Sequence, residues 1–211
     1  VRDDSGNTDL IVKGNGNVGI GTVSPETLLN VNSPSGTTYP TLGTASGVIA
    51  LSINELHGMY LGVDGSSGNG WIQSMREDAG ATAYNLILQP SGGNVGIGVA
   101  PNDWDPTITA LQIDAVSISA FLNNVMLIGG NAYYDDTANA YKYINDGFAS
   151  QLTVNNSGNF EFKTAGSGTA GDTVSLDTKV KILNNGNVGI GTISPGAKLE
   201  VAGATNIKGT S

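Results

Sequence analysis

The sequence predicts an all-β chain, an elongated repeat of short strands and small β-modules, and three observations carry that prediction. A short phrase recurs as Asn17-Val18-Gly19-Ile20-Gly21-Thr22, Asn94-Val95-Gly96-Ile97-Gly98-Val99 and Asn187-Val188-Gly189-Ile190-Gly191-Thr192. Apolar runs are short and separated by Gly, Ser, Thr and Asn, the pattern of many strands joined by turns. Glycine supplies 31 of 211 residues, about twice average usage. Repetition at this fidelity points to architecture, because an array reuses a unit whereas a catalytic site is normally built once.

Each copy has the same surroundings. An aliphatic run precedes it (Leu10-Ile11-Val12, Leu86-Ile87-Leu88, Val180 to Leu183), a proline loop follows (Pro25, Pro101, Pro195), and a second run closes it (Leu28 to Val31, Leu111 to Ile113, Leu199 to Val201). Side chains alternate along a strand, so Val18 and Ile20 share one face while Gly19 and Gly21 leave bare backbone on the other. Glycine inside a strand suggests that another backbone approaches closely; a threefold fibre axis or a tightly stacked sheet would supply it. Gly14 to Asn17, Gly92 to Asn94 and Asn184 to Asn187 suit tight turns, since Gly and Asn tolerate positive φ. The unit therefore reads as strand, tight turn, strand, proline loop, strand.

This reading divides the chain into a first connector (1–43), a β-module insert (44–89), a second connector (90–113), a second insert (114–178) and a third connector with the C-terminal end (179–211). Within the inserts, strands are expected at Val48 to Ile53, Met59 to Val63, Trp71 to Met75, Val125 to Ile128, Tyr141 to Ile144, Gln151 to Val154 and Asn159 to Lys163. Asn155 to Phe162 echoes the turn and strand of the main repeat, with aromatics in place of Val and Ile.

Composition narrows the function classes. Charged residues are 13% and apolar residues 39%, with a net charge of −9, a balance that argues against charged disorder and against nucleic acid or anionic membrane surfaces as partners. Zero cysteines exclude a disulfide scaffold and a thiolate metal site. No apolar run is long enough for a spanning helix, so no membrane insertion is expected. The start at Val1, without a basic and apolar leader, reads as processing or as a fragment of a longer protein. Gly14-x-Gly16-x-x-Gly19 matches a dinucleotide fingerprint in spacing only. It runs into a strand and a proline rather than a helix, and no acidic residue lies between Ser33 and Asn54.

Gly186 to Thr192, continued by Ser194-Pro195-Gly196-Ala197-Lys198-Leu199-Glu200-Val201, resembles a segment of bacteriophage tail fibre and tail spike proteins, above all those that precede a C-terminal intramolecular chaperone. Bacterial adhesin-like surface proteins share the phrase. The likeness is close in the first and third copies and looser in the second, where Trp104 and extra residues separate Pro101 from Leu111. It implies a β-rich, elongated, intertwined homotrimeric fibre in a virion. The implied partners are itself, other tail or fibre subunits, and a bacterial surface glycan or outer-surface protein. The chaperone's catalytic residues have no counterpart in this chain, and Ser211 is expected to be a cleavage scar. Trimerisation also has a physical motive, because short Gly-rich strands expose unpaired edges that neighbouring chains can close.

Candidate chemistry is sparse. His57 is the only histidine and has no nucleophile motif beside it, so a surface or hydrogen-bonded role is expected. Asp103 with Asp105, Asp135 with Asp136 and Glu77 with Asp78 are loop-type acid clusters, a weak match to the paired carboxylates of a glycosidase. Asp135-x-Thr137-x-Asn139, with Asp146 at the twelfth position, lacks the glycine and closing glutamate of a calcium loop. No cofactor, metal or enzymatic activity is assigned. Aromatics gather in the inserts, and amphipathic rings suit either small-sheet cores or sugar and protein contact. Core packing is the stronger reading; if a receptor contact exists, it is expected at Trp71, Tyr133, Tyr134, Asp135 and Asp136. The sequence thus points to a structural tail-fibre segment that presents host-receptor-binding surfaces. The alternatives are a carbohydrate-binding module and a bacterial surface adhesin or filament subunit, with a glycan depolymerase ranked below them.

Overall fold

A computed structural model of the chain describes residues 10–33, 39–43, 47–54, 56–121 and 125–206. Ser211 lies outside the described residues, as does Glu55 beside His57. The secondary structure is all-β, and no helix occurs among the described residues. Two compact units are present, Val1–Ile87 and Leu88–Ser211.

The first unit holds two three-stranded sheets. β1 (Leu10–Val12), β2 (Val18–Ile20) and β3 (Leu29–Val31) form one; β4 (Ile49–Ile53), β5 (His57–Val63) and β6 (Gly70–Arg76) form the other. β1 and β2 pair antiparallel through Lys13 to Asn17, where Gly16 N–H donates to the Lys13 carbonyl (2.9 Å) and Lys13 N–H to the Asn17 carbonyl (2.8 Å). Gly16 stands at φ +88, so this is a type I turn followed by a left-handed glycine, a hairpin that only glycine closes without strain. β2 then pairs parallel with β3. Residues 21–28 make that return, far fewer than the dozen or so that a parallel connection ordinarily needs.

The second unit is built on β7 (Val95–Ile97), β8 (Thr109–Ile113), β9 (Val116–Phe121), β10 (Val125–Gly130), β11 (Ala132–Asp135), β12 (Ala140–Tyr143), β13 (Gly147–Val154), β14 (Phe160–Gly168), β15 (Asp177–Ile182), β16 (Val188–Ile190) and β17 (Leu199–Val201). Nine of these make one sheet in the order β17-β16-β15-β14-β13-β10-β9-β8-β7, and β11 with β12 forms a separate hairpin. Strands from 90–113, 114–178 and 179–211 thus share one sheet. The third copy repeats the first, with β15, β16 and β17 paired antiparallel then parallel and the same turn at Leu183 to Asn187. The expected echo closes identically: Gly158 N–H donates to the Asn155 carbonyl (2.9 Å).

The second copy departs from the expected unit. Leu86 to Leu88 form no strand, and β7 pairs only with β8. Its turn carries Gly92 and Gly93, and counted from the residue whose carbonyl accepts the turn bond (Lys13, Gln89 or Leu183) it has one residue more before the asparagine than the others. One extra residue shifts the register and flips the incoming run to the wrong face. β9 and β11 were not foreseen as strands, because Ser117 and Ser119 interrupt the first and the second is a run of aromatics beside acids.

The glycines have a close backbone neighbour within the chain itself. A Cβ on Gly19, Gly96 or Gly189 would collide with the carbonyl oxygen of Thr22, Val99 or Thr192. Within the chain, the close backbone is its own loop folding over the strand. Asn17 and Asn187 fasten that loop, their Nδ2 groups donating to the carbonyls of Pro25 (3.0 Å) and Pro195 (3.1 Å). In the longer second loop Asn94 instead accepts from Ala110 N–H at 2.7 Å.

Candidate functional site: the aliphatic sheet face and the insert aromatics

Residues directly opposite across strands share a face, so register lines can be followed through the nine-stranded sheet. One line runs Val95, Leu111, Ile118, Ile128, Leu152, Phe162, Val180, Ile190, Val201. It takes one apolar residue from each of the nine strands without interruption. The neighbouring line on the opposite face runs Gly96, Gln112, Ser117, Gly129, Gln151, Lys163.

Burial is inverted with respect to this chemistry. Ile118 is 49% exposed whereas Ser117 beside it is 2% exposed and Gln112 is fully buried. The chain's own loops cover the small and polar face: Trp104, Ile108, Ala110 and Tyr133 form one cluster there, and Ala132, Tyr143, Ala149 and Val174 another. Trp104 and Tyr133 meet edge to face at 6.0 Å. Gln112 is saturated: its Oε1 accepts from Trp104 Nε1 (3.0 Å) and Asn102 N–H (2.9 Å), and its Nε2 donates to Asn102 Oδ1 (2.6 Å) and the Asp114 carbonyl (3.0 Å). Farther along that face Glu161 binds Lys163 and Lys181, each at 2.9 Å. Burial pushes the Glu161 carboxyl up, but its bonds to the two lysines outweigh this and hold it below the ordinary range.

The smaller sheets also leave aliphatic residues uncovered. In β4 to β6, Ile49, Leu51, Ile53, Met59, Leu61 and Ile72 share one face by register, while Tyr60, Trp71 and Met75 share the other. Leu51, Ile53 and Ile72 are exposed, whereas Tyr60 and Met75 are buried. In β1 to β3, Val12, Val18, Ile20, Leu29 and Val31 lie on a single face.

The residues expected at a receptor contact are placed as follows. Trp71 is half-buried, and its ring occupies the space over Gly62, its cross-strand partner. Its Nε1 is buried without a hydrogen-bond acceptor. Tyr133 is buried in the Trp104 cluster, and burial pushes its hydroxyl pKa up. Asp135 is buried and engaged, accepting from Ala138 N–H at 2.6 Å and pairing with Lys142 at 3.1 Å. Tyr134 is half-buried, donates to Asn139 Oδ1 at 2.6 Å and packs edge-on against Tyr141. Asp136 is exposed. Tyr133 to Asp135 pair with β12, so these residues form one strand of a hairpin and its turn, with Asp135 capping the turn.

His57 Nδ1 lies 3.0 Å from the Tyr84 hydroxyl. Asp78 pairs with Arg76 and accepts from Gly80 N–H, and Asp105 accepts from Thr107 N–H. Among the described residues no group of three His, Cys, Asp or Glu side chains is placed to hold a metal ion. No family model matches the chain, and no curated protein matches it.

Eight of the nine residues on this line fall in strands or runs expected from sequence, and the ninth, Ile118, was missed although Val116-Ser117-Ile118-Ser119 displays its period-two signal; what sequence did not give was their alignment into one line. Alternation tells that one face is apolar; it does not tell which face the rest of the chain will cover.

Proposed function

We propose that this chain is a structural segment of a virus tail fibre, a homotrimer whose β-rich shaft presents host-receptor-binding surfaces at a bacterial surface. The observation that supports the reading is the unbroken apolar line across nine strands, on which Ile118, Ile128, Phe162 and Ile190 are 39% to 49% exposed while Gln112, Ser117 and Gln151 are buried. A chain acting alone would bury the opposite face, since covering apolar surface is the dominant favourable term. Self-association reverses the deficit and explains why the phrase is repeated along the chain. Recognition falls to the accessible parts of the inserts, the edge of Trp71 and the Tyr134 and Asp136 side of the hairpin.

Light scattering coupled to size exclusion tests this. A mass near three times 21.4 kDa is the expected result, and a monodisperse monomer at micromolar concentration overturns it. A gene neighbourhood without virus structural genes would move the same architecture to a bacterial surface filament.

A further inference from the structure

We infer that Asn155 and Lys181 are the partners of an intramolecular amide cross-link, formed on Glu161 with loss of ammonia, that ties β13, β14 and β15 together. The inference is independent of the fibre reading, since every group belongs to one chain and one sheet.

Register assembles the three side chains. Glu161 and Lys181 stand directly opposite across β14 and β15, and Glu161 faces Thr153 across β13. Asn155 follows Thr153 by two residues, so strand alternation returns its side chain to the same face at the hairpin turn. One carboxylate oxygen then joins the pair: Glu161 Oε1 accepts from Lys181 Nζ at 2.9 Å and from Asn155 Nδ2 at 3.2 Å. Amine and carboxamide are neighbours across a single atom.

The carboxamide is polarised for attack. Asn155 Oδ1 accepts from Ser157 N–H at 3.0 Å and from Asn159 N–H at 3.2 Å, two backbone donors aimed at the oxygen where charge develops when a nucleophile adds to Cγ. That oxygen survives in the product, so the turn keeps both bonds. The side chains of Glu161, Lys181 and Lys163 are only 13%, 17% and 21% exposed, which limits competition from water and strengthens the charge interactions among them.

The step balances without oxidant or cofactor. Glu161 takes one proton from the Lys181 ammonium, and the freed lone pair of Nζ attacks Asn155 Cγ. The Nζ–Cγ bond forms and the Cγ–Nδ2 bond breaks. Glu161 passes its proton to Nδ2, a second proton from Nζ follows, and ammonium departs while Glu161 returns to carboxylate. Lys163, 2.9 Å from Oε2, remains as the counter-ion: two cations on one carboxylate become a balanced pair. The chain has no cysteine, so a covalent tie within this sheet cannot be a disulfide.

Intact mass and tryptic mapping of the full chain test this. The expected mass is about 17 Da below the sequence value, one ammonia, with a branched peptide joining residues 143–163 to 180–198. Lys181→Arg, which keeps the charge, and Glu161→Gln, which removes the proton acceptor, are each expected to restore the full mass, and Lys181→Arg to melt about 10 °C lower, as for opening a cross-link across a loop of this size. Asn155→Asp is expected to lose about 18 Da instead, with water as the leaving group. Wild-type protein that keeps its full mass through days of incubation overturns the inference. So does a loss of the same mass that survives Lys181→Arg, which would belong to a cyclised Asn-Gly pair such as Asn185-Gly186, and so does a branch through Lys163.

Discussion

The carbonyl oxygen of Thr192 occupies the space that a Cβ on Gly189 would fill, and Thr22 and Val99 stand in the same relation to Gly19 and Gly96. The phrase is therefore a folding device in which asparagine fastens the loop, one glycine admits it and a second turns the chain. Gly189→Ala is expected to lower stability by about 2–3 kcal/mol, the cost of overpacking against backbone that cannot swing away. Gly166→Ala, where a Cβ meets nothing within 4 Å, is the control and should stay within about 0.5 kcal/mol of wild type. Thermal unfolding of the two variants side by side decides the matter; equal effects would refute the account.

Gln112 is the pivot of the second loop. Gln112→Leu keeps the shape but orphans Trp104 Nε1, Asn102 N–H and Asn102 Oδ1. Stranded buried groups make the expected loss about 2–4 kcal/mol, with a shift in the emission of Trp104 because its indole N–H loses its acceptor. Denaturant unfolding followed by tryptophan fluorescence reads both.

Acid should weaken the first unit in part through Asp78. Its bond to Arg76, aided by Gly80 N–H, holds its pKa at about 2 against an ordinary 3.8. A carboxyl depressed in the folded state contributes stability that is complete above the unfolded value and disappears as pH falls through the folded one. The contribution is thus present above about pH 4 and lost toward pH 2. Asp64, held down by the Ser67 hydroxyl and N–H, and Asp135, held down by Ala138 N–H, act in the same direction. Melting temperature should fall across this window, and Asp78→Asn should flatten the slope.

Alkali works through Tyr60. Burial, with a contribution from Glu77, pushes its pKa from 10.0 to about 12. The unfolded chain then ionises first, so this contribution to stability is intact below pH 10 and declines as pH rises toward 12. Tyr60→Phe should remove that decline. At pH 7 the substitution should cost no more than about 1.5 kcal/mol, the worth of the hydroxyl's interaction with the Glu77 carboxylate. A loss above about 2 kcal/mol at pH 7 would contradict it.

On the aliphatic line, Ile118→Glu is expected to shift the solution mass toward the monomer while leaving the far-ultraviolet circular dichroism of the sheet in place. Ile118 is half-exposed in the single chain, so a charge there costs little until a second chain must cover it. Unchanged mass in light scattering would remove this residue from the interface.

Much of the local architecture was legible in residues alone. Alternation in Val18-Gly19-Ile20 set its apolar face, Gly16 and Asn17 announced a tight turn, and Pro25 and Pro195 marked the loops. These are short-range consequences of side-chain period and backbone freedom, available within a few residues. The aromatic sites were less legible: Tyr133 and Trp71 could have been surface or core, and packing against Trp104 and Gly62 settled where they sit.

Register and burial belong to the tertiary structure. Leu111 and Ile190 stand on one line only because the six pairings that separate them hold phase across the sheet, two of those pairings being bulged. Likewise, no local rule states that the loop around Trp104 will cover Gln112 and Ser117 rather than Leu111 and Ile118. From the sequence alone came the all-β class, the repeat and its turns, because each depends on neighbours in the chain. Which face is buried, and hence which surface remains for another molecule, depends on contacts between residues far apart in the chain, and only the folded sheet decided it.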